Sequence, residues 1–250
     1  MILPFIIMFL ISLSGNENIF TDYKNINLSF CAYKNVFDSI PVIKYFLNSL
    51  IVALFTTIGQ VIIAALAGYG FARLKFWGKD TLFFIIILTM MVPPQVNIVP
   101  LFYLMSKLGW INTYQALIVP GIFGGFGIYM MKNYFTTFSK DLEEAAKLDG
   151  CNVWQIFSKI ALPCAMPAIA TLSIFTFVTT WNSFMWPMIV LNSRDMMTIQ
   201  VGLSTFQYQY NTQYGPLMAG TVISVLPTLL LFLFAQKYYI QGIAFSGSKD

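Results

Sequence analysis

Histidine is absent from the 250-residue chain, and charged residues make up only 10% of it. Without imidazole, no His-based triad, histidine general base or histidine-ligated zinc site can be assembled. Three scattered cysteines, Cys31, Cys151 and Cys164, suit neither a disulfide framework nor an all-cysteine zinc site, and they read as small inert hydrophobes. The scarcity of charge excludes an ordinary soluble domain, whose water-facing surface takes roughly 25% charged residues. A phosphate loop is missing too: Gly78-Lys79-Asp80 lacks both the preceding glycine and the hydroxyl that would hold magnesium, so the chain is not expected to hydrolyse ATP. What is present is apolar, with 58% hydrophobic residues, 17% aromatic residues and a mean hydropathy of +0.72.

The charges leave long gaps, each sufficient for a bilayer span, which takes about 20 apolar residues. The gaps are Tyr45 to Ala72, Thr81 to Ser106, Leu108 to Met131, Ile160 to Ser193 and Met196 to Gln236. In the last, Gln207, Gln209, Asn211, Thr212 and Gln213 are too polar for hydrocarbon, which places the final helix near Leu217 to Gln236. In the fourth, Pro163 and Pro167 suit a helix entrance, so that span is expected from about Ala165 to Leu191. Met1 to Leu13 is apolar but would reach only about 20 Å as a helix, against a hydrocarbon core of roughly 30 Å. It lacks the basic start and small-residue cleavage site of a signal peptide. It reads as a sixth span missing its beginning, or as a short first helix.

Short cytoplasmic loops retain Lys and Arg. Arg73, Lys75 and Lys79, then Lys132, Lys140, Lys147 and Lys159, then Lys237 and Lys249 are therefore expected inside, with Lys107 and Arg194 outside. Lys24, Lys34 and Lys44 fall outside as well, balanced by Glu17, Asp22 and Asp38. The expectation is an all-α polytopic membrane protein of six helices with both termini cytoplasmic. It divides into a partial first helix (1–13), an external loop (14–44), a transmembrane core (45–236) containing a cytoplasmic loop at 132–163, and a tail (237–250).

Within the spans, Ala64, Gly68 and Ala72 recur every four residues, and Gly121 and Gly125 form GxxxG, a pattern of close helix packing or of a pathway lining. Pro93 and Pro94 must interrupt backbone hydrogen bonding, giving a kinked or broken helix, or a moving gate. No Asp, Glu, Lys or Arg lies inside any predicted span, which disfavours a proton-driven carrier. Sodium coupling through carbonyl oxygens would survive that absence. Trp181, Asn182, Trp186 and Pro187 place aromatics and an amide in the fifth span, where they suit a sugar. Alternatively, Asn182 repairs backbone groups freed by Pro187 and the tryptophans anchor the outer interface.

The loop reads Ser139-Lys140-Asp141-Leu142-Glu143-Glu144-Ala145-Ala146-Lys147-Leu148-Asp149-Gly150. Asp141, Glu143 and Glu144 sit where the helix dipole favours negative charge, and Gly150 sits where a left-handed C-terminal cap wants glycine. Asn152 and Gln155 have capping-box spacing for a second helix carrying Val153, Trp154, Ile156, Phe157 and Ile160 up to Pro163. Helix, glycine turn, helix is the expected arrangement.

These residues resemble the membrane subunits of ATP-binding cassette (ABC) importers. That family shares a cytoplasmic signature, the EAA motif: Glu-Ala-Ala, three residues, Gly, nine residues, Ile-x-Leu-Pro. Here Glu144, Ala145, Ala146, Gly150, Ile160, Leu162 and Pro163 fill every position. Tyr45-Phe46-Leu47-Asn48-Ser49-Leu50, Gly68-Tyr69-Gly70-Phe71-Ala72-Arg73, Met91-Val92-Pro93-Pro94, Trp181-Asn182-Ser183-Phe184-Met185-Trp186-Pro187 and Gln236-Lys237-Tyr238-Tyr239-Ile240-Gln241-Gly242 are similar to the carbohydrate-uptake branch, within it to the maltose-type, MalG-like permease subunits. Two departures stand out: Ser139 where the family usually has proline, and Cys151-Asn152 where Ala-Ser is commoner.

The resemblance implies a permease subunit of a binding-protein-dependent sugar importer in the inner membrane, not itself an enzyme and without cofactor or metal. Its loop would be a coupling helix docking on separate ABC ATPase subunits through Glu143, Glu144, Ala145, Ala146, Gly150, Ile160, Leu162 and Pro163. A second permease subunit would complete the pore, a heterodimer, and an extracytoplasmic solute-binding protein would deliver a sugar-like substrate. No nucleic acid is implied. The pathway candidates are Trp181, Asn182, Trp186, Pro93 and Pro94. The contrasting class is a secondary solute carrier working without an ATPase.

Overall fold

One uninterrupted helix, α3 (Val42–Arg73, 32 residues), organises the computed structural model. No proline interrupts it, and its polarity is inverted relative to a soluble helix. Asn48, Ser49, Thr56 and Thr57 are buried, whereas Ile43, Leu47, Leu54, Phe55, Ile58, Ile62 and Leu66 form an exposed stripe at helical spacing. That is the pattern hydrocarbon selects, with polar groups turned toward other helices and apolar ones toward lipid. The structure describes residues 3–14, 29–207 and 212–247, with the backbone alone from 234 onward. Glu17, Asp22, Lys24, Gln209, Asn211 and Lys249 lie outside the described residues, as does the side chain of Lys237.

Before α3 stand α1 (Leu3–Ser12) and α2 (Cys31–Ser39). The second is a helix within the segment read from sequence as a loop; Ala32 and Val36 are its buried positions, and Ser12 Oγ meets Tyr33 Oη at 2.9 Å to tie α1 to it. After α3 come α4 (Lys79–Met91) and α5 (Ile98–Lys107), joined through a 3₁₀ turn at Pro94–Asn97 and bent by 94°. Pro93 and Pro94 offer no N–H to either helix, so the Pro-Pro step is a break rather than a mild kink.

The third and fourth gaps divide more finely than expected. Leu108 to Thr113 form a turn with Gly109 and Asn112 at positive φ (68° and 62°), so α6 (Tyr114–Ile122) begins later and α7 (Gly125–Thr137) continues past Met131. The helix expected from Ala165 to Leu191 stops early: α11 (Met166–Trp181) ends at Asn182, and a separate α12 (Met185–Val190) follows. Pro187 lacks the N–H that a continuous helix would aim at the Ser183 carbonyl. Between α7 and α11 lie α8 (Lys140–Leu148), α9 (Val153–Ile156), a π-turn at Phe157–Ala161 and α10 (Leu162–Cys164). The run Val153–Cys164 meets α11 at 72°. Pro163 cannot bond the Lys159 carbonyl, and the π-turn beside it absorbs that loss. The chain ends with α13 (Ile199–Ser204) and α14 (Tyr214–Gly247), which contains Pro227 and extends through most of the expected tail.

Among the described residues, three helices are long and apolar enough to cross a membrane, or up to five if each bent pair is one span; Leu3–Ser12 is a shorter apolar helix. Three buried clusters converge on α3. Tyr45 and Ala53 pack with Trp181, Phe177, Ile199 and Leu203 near its start, Val52 packs with Met105, Leu117 and Val190, and Ala64, Ala65 and Tyr69 pack with Met131, Phe135, Phe157 and Leu172 near its end. The small-residue positions bring backbones together: a Cβ on Gly68 would lie 2.6 Å from Met131 Cβ and 2.8 Å from the Lys132 nitrogen. The GxxxG pair contacts two different helices, Gly121 facing Thr56 on α3 and Gly125 facing Met90 on α4.

Candidate functional site

The signature loop is a rigid, capped element. Ser139 Oγ accepts from the Asp141 N–H at 3.2 Å and starts α8, a role that makes serine a workable substitute for proline at this entrance. At the other end Gly150 has φ 80°, its N–H reaches the Lys147 carbonyl at 3.0 Å, and the Cys151 N–H reaches the Ala146 carbonyl at 2.9 Å. Those two bonds are a Schellman cap, which needs a residue tolerant of left-handed backbone. Asn152 and Gln155 form a reciprocal capping box, at 2.9 Å and 2.8 Å, that starts α9.

The caps fix which way α8 faces. Glu143 and Ala146 point inward and are buried, while Glu144 and Ala145 are exposed. Leu142 is 50% exposed and Leu148 90%, with Val153 and Trp154 also exposed beyond the turn. Ile156 and Phe157 face inward, and Phe157 joins Tyr69 (5.1 Å) and Phe135 (6.4 Å) in an aromatic cluster that binds the second helix to α3 and α7. Ile160 and Leu162 are half-buried, and Pro163 is exposed.

Sequence reasoning grouped Glu143 with the docking surface, and the structure turns it the other way. Its Oε1 lies 3.3 Å from Nε of Arg73 at the end of α3, with both side chains about nine-tenths buried. Arg73 also donates through Nη2 to the Phe138 carbonyl, and its guanidinium lies 5.7 Å from the Phe138 ring centroid. From the sequence, Arg73 is a positive charge at a span end and the last residue of the Gly68–Arg73 resemblance stretch, with no contact assigned to it. A lone arginine one residue past an apolar helix, with a Glu-Glu pair elsewhere, was the available signal.

The pathway candidates separate. Trp181 is 1% exposed, packed edge-on to Phe46 (5.2 Å) and stacked on Phe177 (5.9 Å), and its indole N–H donates to the Ser224 carbonyl at 3.0 Å. Trp186 is half-buried and donates to the Ala116 carbonyl at 2.9 Å. That carbonyl is the one whose helical partner would be residue 120, a proline without N–H. Asn182 is exposed, and its amide donates to the Val178 carbonyl (2.9 Å) in the last turn of α11. Gln200 Nε2 stands 3.4 Å from Asn182 Oδ1 and 3.1 Å from Ser224 Oγ. Pro93 and Pro94 sit at the separate α4–α5 bend and are exposed; α4 has no buried residue.

At the opposite end of α3 from Arg73, polar side chains hold the segment between α12 and α13. Asn48 Nδ2 donates to the carbonyls of Asp195 and Met197, both at 2.9 Å, and its Oδ1 accepts from Tyr114 Oη at 2.7 Å. Ser49 Oγ accepts from the Ile199 N–H at 2.8 Å. Lys44 and Asp195 form an exposed ion pair. Asn112 Oδ1 accepts from the backbone N–H groups of Asn192 and Ser193, each at 3.0 Å.

Residues 60–244 match the family model described as the binding-protein-dependent transport system inner membrane component. The chain is 36% identical over 223 residues to the arabinooligosaccharides transport system permease protein AraQ of Bacillus subtilis, covering 89% of this chain and 79% of that one. It is 42% identical over 207 residues to the probable ABC transporter permease protein YurM of the same organism (82% and 69% covered). To the trehalose/maltose transport system permease protein MalG of Thermococcus litoralis it is 34% identical over 203 residues (80% and 73% covered). A crystal structure of a bacterial ABC transporter involved in the import of the acidic polysaccharide alginate shares its fold, with TM-score 0.84, 24% identity, 95% of this chain and 90% of that chain covered.

Proposed function

The chain belongs to the family of binding-protein-dependent transport system inner membrane components, and from that premise we propose the part it plays: one of two permease subunits of an ABC importer for a sugar or related solute. It spans the membrane several times and forms half of the translocation path. The observation that carries this reading is the outward face of α8. Leu142, Glu144, Ala145 and Leu148 are exposed on a helix fixed at both ends by caps and anchored inward by Glu143 and Ala146. Two leucines and a small alanine around one carboxylate suit a groove on a separate ATPase subunit, and Trp154 and Val153 extend the same surface.

In this reading α8 to α10 lie in the cytoplasm and the Lys44 end of α3 faces outside, as the distribution of basic residues supports. The exposed face of α4 and of the Pro93–Pro94 bend supports contact with a second permease and the path between the two. Asn182 stays on that path with Pro93 and Pro94. Trp181 and Trp186 hold the α11–α12 break in shape from behind. Relatives named for arabinooligosaccharides, lactose, maltodextrin and trehalose or maltose support a sugar-like substrate, delivered by an external binding protein.

Copurification in detergent with the candidate ATPase tests the assignment. The native chain is expected to retain the ATPase, and both Glu144→Lys and Gly150→Pro are expected to lose it while still inserting in the membrane. Equal retention by both variants would remove the docking role. Uptake by the native chain in the absence of any ATPase would replace the reading by a secondary carrier.

A further inference from the structure

Each end of α3 is tied to a different surface of the molecule. At one end Arg73 grips the coupling segment twice, through the buried pair with Glu143 and through the Phe138 carbonyl just before α8. At the other end Asn48 and Ser49 hold three alternate backbone positions leading into α13, at Asp195, Met197 and Ile199. Between the ties α3 runs unbroken from Asn48 to Arg73, about 37 Å at 1.5 Å per residue. The neighbouring elements are interrupted: α4–α5 at Pro93–Pro94, α6–α7 at Phe123–Gly124, α11–α12 at Asn182–Phe184. A break gives an element a place to flex, and α3 has none between Asn48 and Arg73.

The ties differ in a way that fits transmission. The Arg73–Glu143 pair is desolvated, so separating it strands two buried charges; α8 cannot move away from α3 without taking Arg73 along. Asn48 is 3% exposed and spends both amide hydrogens on the two carbonyls while Tyr114 donates to its oxygen, so it too has no alternative partner in water. The exposed Lys44–Asp195 pair beside it contributes little by comparison.

We propose that α3 is a strut carrying motion of the coupling helix to the external α12–α13 segment, with Arg73 and Asn48 as the positioning residues at its two ends. This rests on the permease reading above, because it takes α8 as the surface the ATPase moves. It adds a named mechanical link and two residues outside the docking face. Spatial continuity is the structural warrant, and coupling between the ends is what an experiment must show.

Asn192, exposed in the α12–α13 segment, is a suitable reporter position. In a Cys31→Ser, Cys151→Ser, Cys164→Ser, Asn192→Cys background the chain is assembled with its ATPase and second permease in lipid nanodiscs, where both faces of the membrane are open to ATP and to the label. The labelling rate by a membrane-impermeant maleimide is then compared without nucleotide and with ATP trapped by vanadate. The expected result is a nucleotide effect of at least about five-fold, the usual lower size of allosteric coupling. Asn48→Ala should abolish it with ATPase binding and unstimulated ATP hydrolysis per assembled complex unchanged, and Arg73→Gln should abolish it in the complexes that assemble. Combining the two substitutions should add nothing further. A nucleotide effect that persists in either single variant overturns the strut, as does its absence from the native assembly. The charge swap Arg73→Glu with Glu143→Arg separates a lost tie from a lost fold: recovery of the effect supports the proposal, and an assembled swap without recovery overturns it. Failure of the native chain to bind any ATPase would overturn the permease reading instead.

Discussion

Trp186 shows how one side chain can repair another's damage. Pro120 removes the N–H that the Ala116 carbonyl would accept inside α6, and the indole of Trp186 supplies a donor from α12 at 2.9 Å. Trp186→Phe keeps most of the ring but strands that carbonyl, and should cost about 1–3 kcal/mol. In a Pro120→Ala background the helix regains its own N–H, and the same substitution should cost distinctly less. Thermal unfolding of the four proteins in detergent measures the coupling, and additive effects would refute the repair. Trp181 is held differently, by two rings and a bond to the Ser224 carbonyl of α14, so Trp181→Ala should cost about 3–5 kcal/mol through the cavity it leaves. Its loss should show as a lower melting temperature of the purified protein.

At the scale of elements, the two caps of the signature loop work by different means. A Cβ on Gly150 would meet no atom within 4 Å, so the strain of Gly150→Ala is confined to the left-handed backbone at φ 80°, about 1 kcal/mol. Asn152→Ala removes the acceptor of the capping box and should cost about 0.5–2 kcal/mol. Both substitutions should speed amide hydrogen exchange across 140–163 while leaving α3 protected; unchanged exchange there would mean that the caps do not set the loop's order. Gly68 is the contrasting case. A methyl group there collides with the backbone of α7, so Gly68→Ala should separate α3 from α7 and cost about 1–3 kcal/mol of stability, read by thermal unfolding.

For the whole molecule, the two ion pairs of α3 should differ sharply in what they contribute. Lys44 and Asp195 are 49% and 78% exposed, and Lys44→Ala should change stability by less than about 1 kcal/mol. Arg73 and Glu143 are 7% and 10% exposed, and Glu143→Ala leaves a buried guanidinium without its counter-charge, at about 3–5 kcal/mol. Denaturation of the two variants side by side checks the contrast, and similar losses would contradict the burial of the inner pair.

Much of this was legible in order of residues alone. Hydrophobic runs, the Pro93–Pro94 break and the helix, glycine turn and helix of the loop all follow from local chemistry: which groups tolerate hydrocarbon, and which backbones accept proline or a left-handed turn. The spacing from Glu144 to Pro163 likewise pointed to the family without any coordinates. Direction was beyond it. Glu143 and Glu144 are adjacent and chemically equal, and only the packing of α8 against α3 turns one toward Arg73 and leaves the other exposed. The tryptophans of the fifth gap looked equally fit for a path or for packing until Ser224 and Ala116, distant in sequence, were found as their partners. Composition and periodicity thus determined that the chain is a bundle of membrane helices with one capped loop. Which side chains face outward and which face the core was decided by tertiary contacts between residues far apart along the chain, and those contacts depend on backbone breaks whose angles no local pattern specifies.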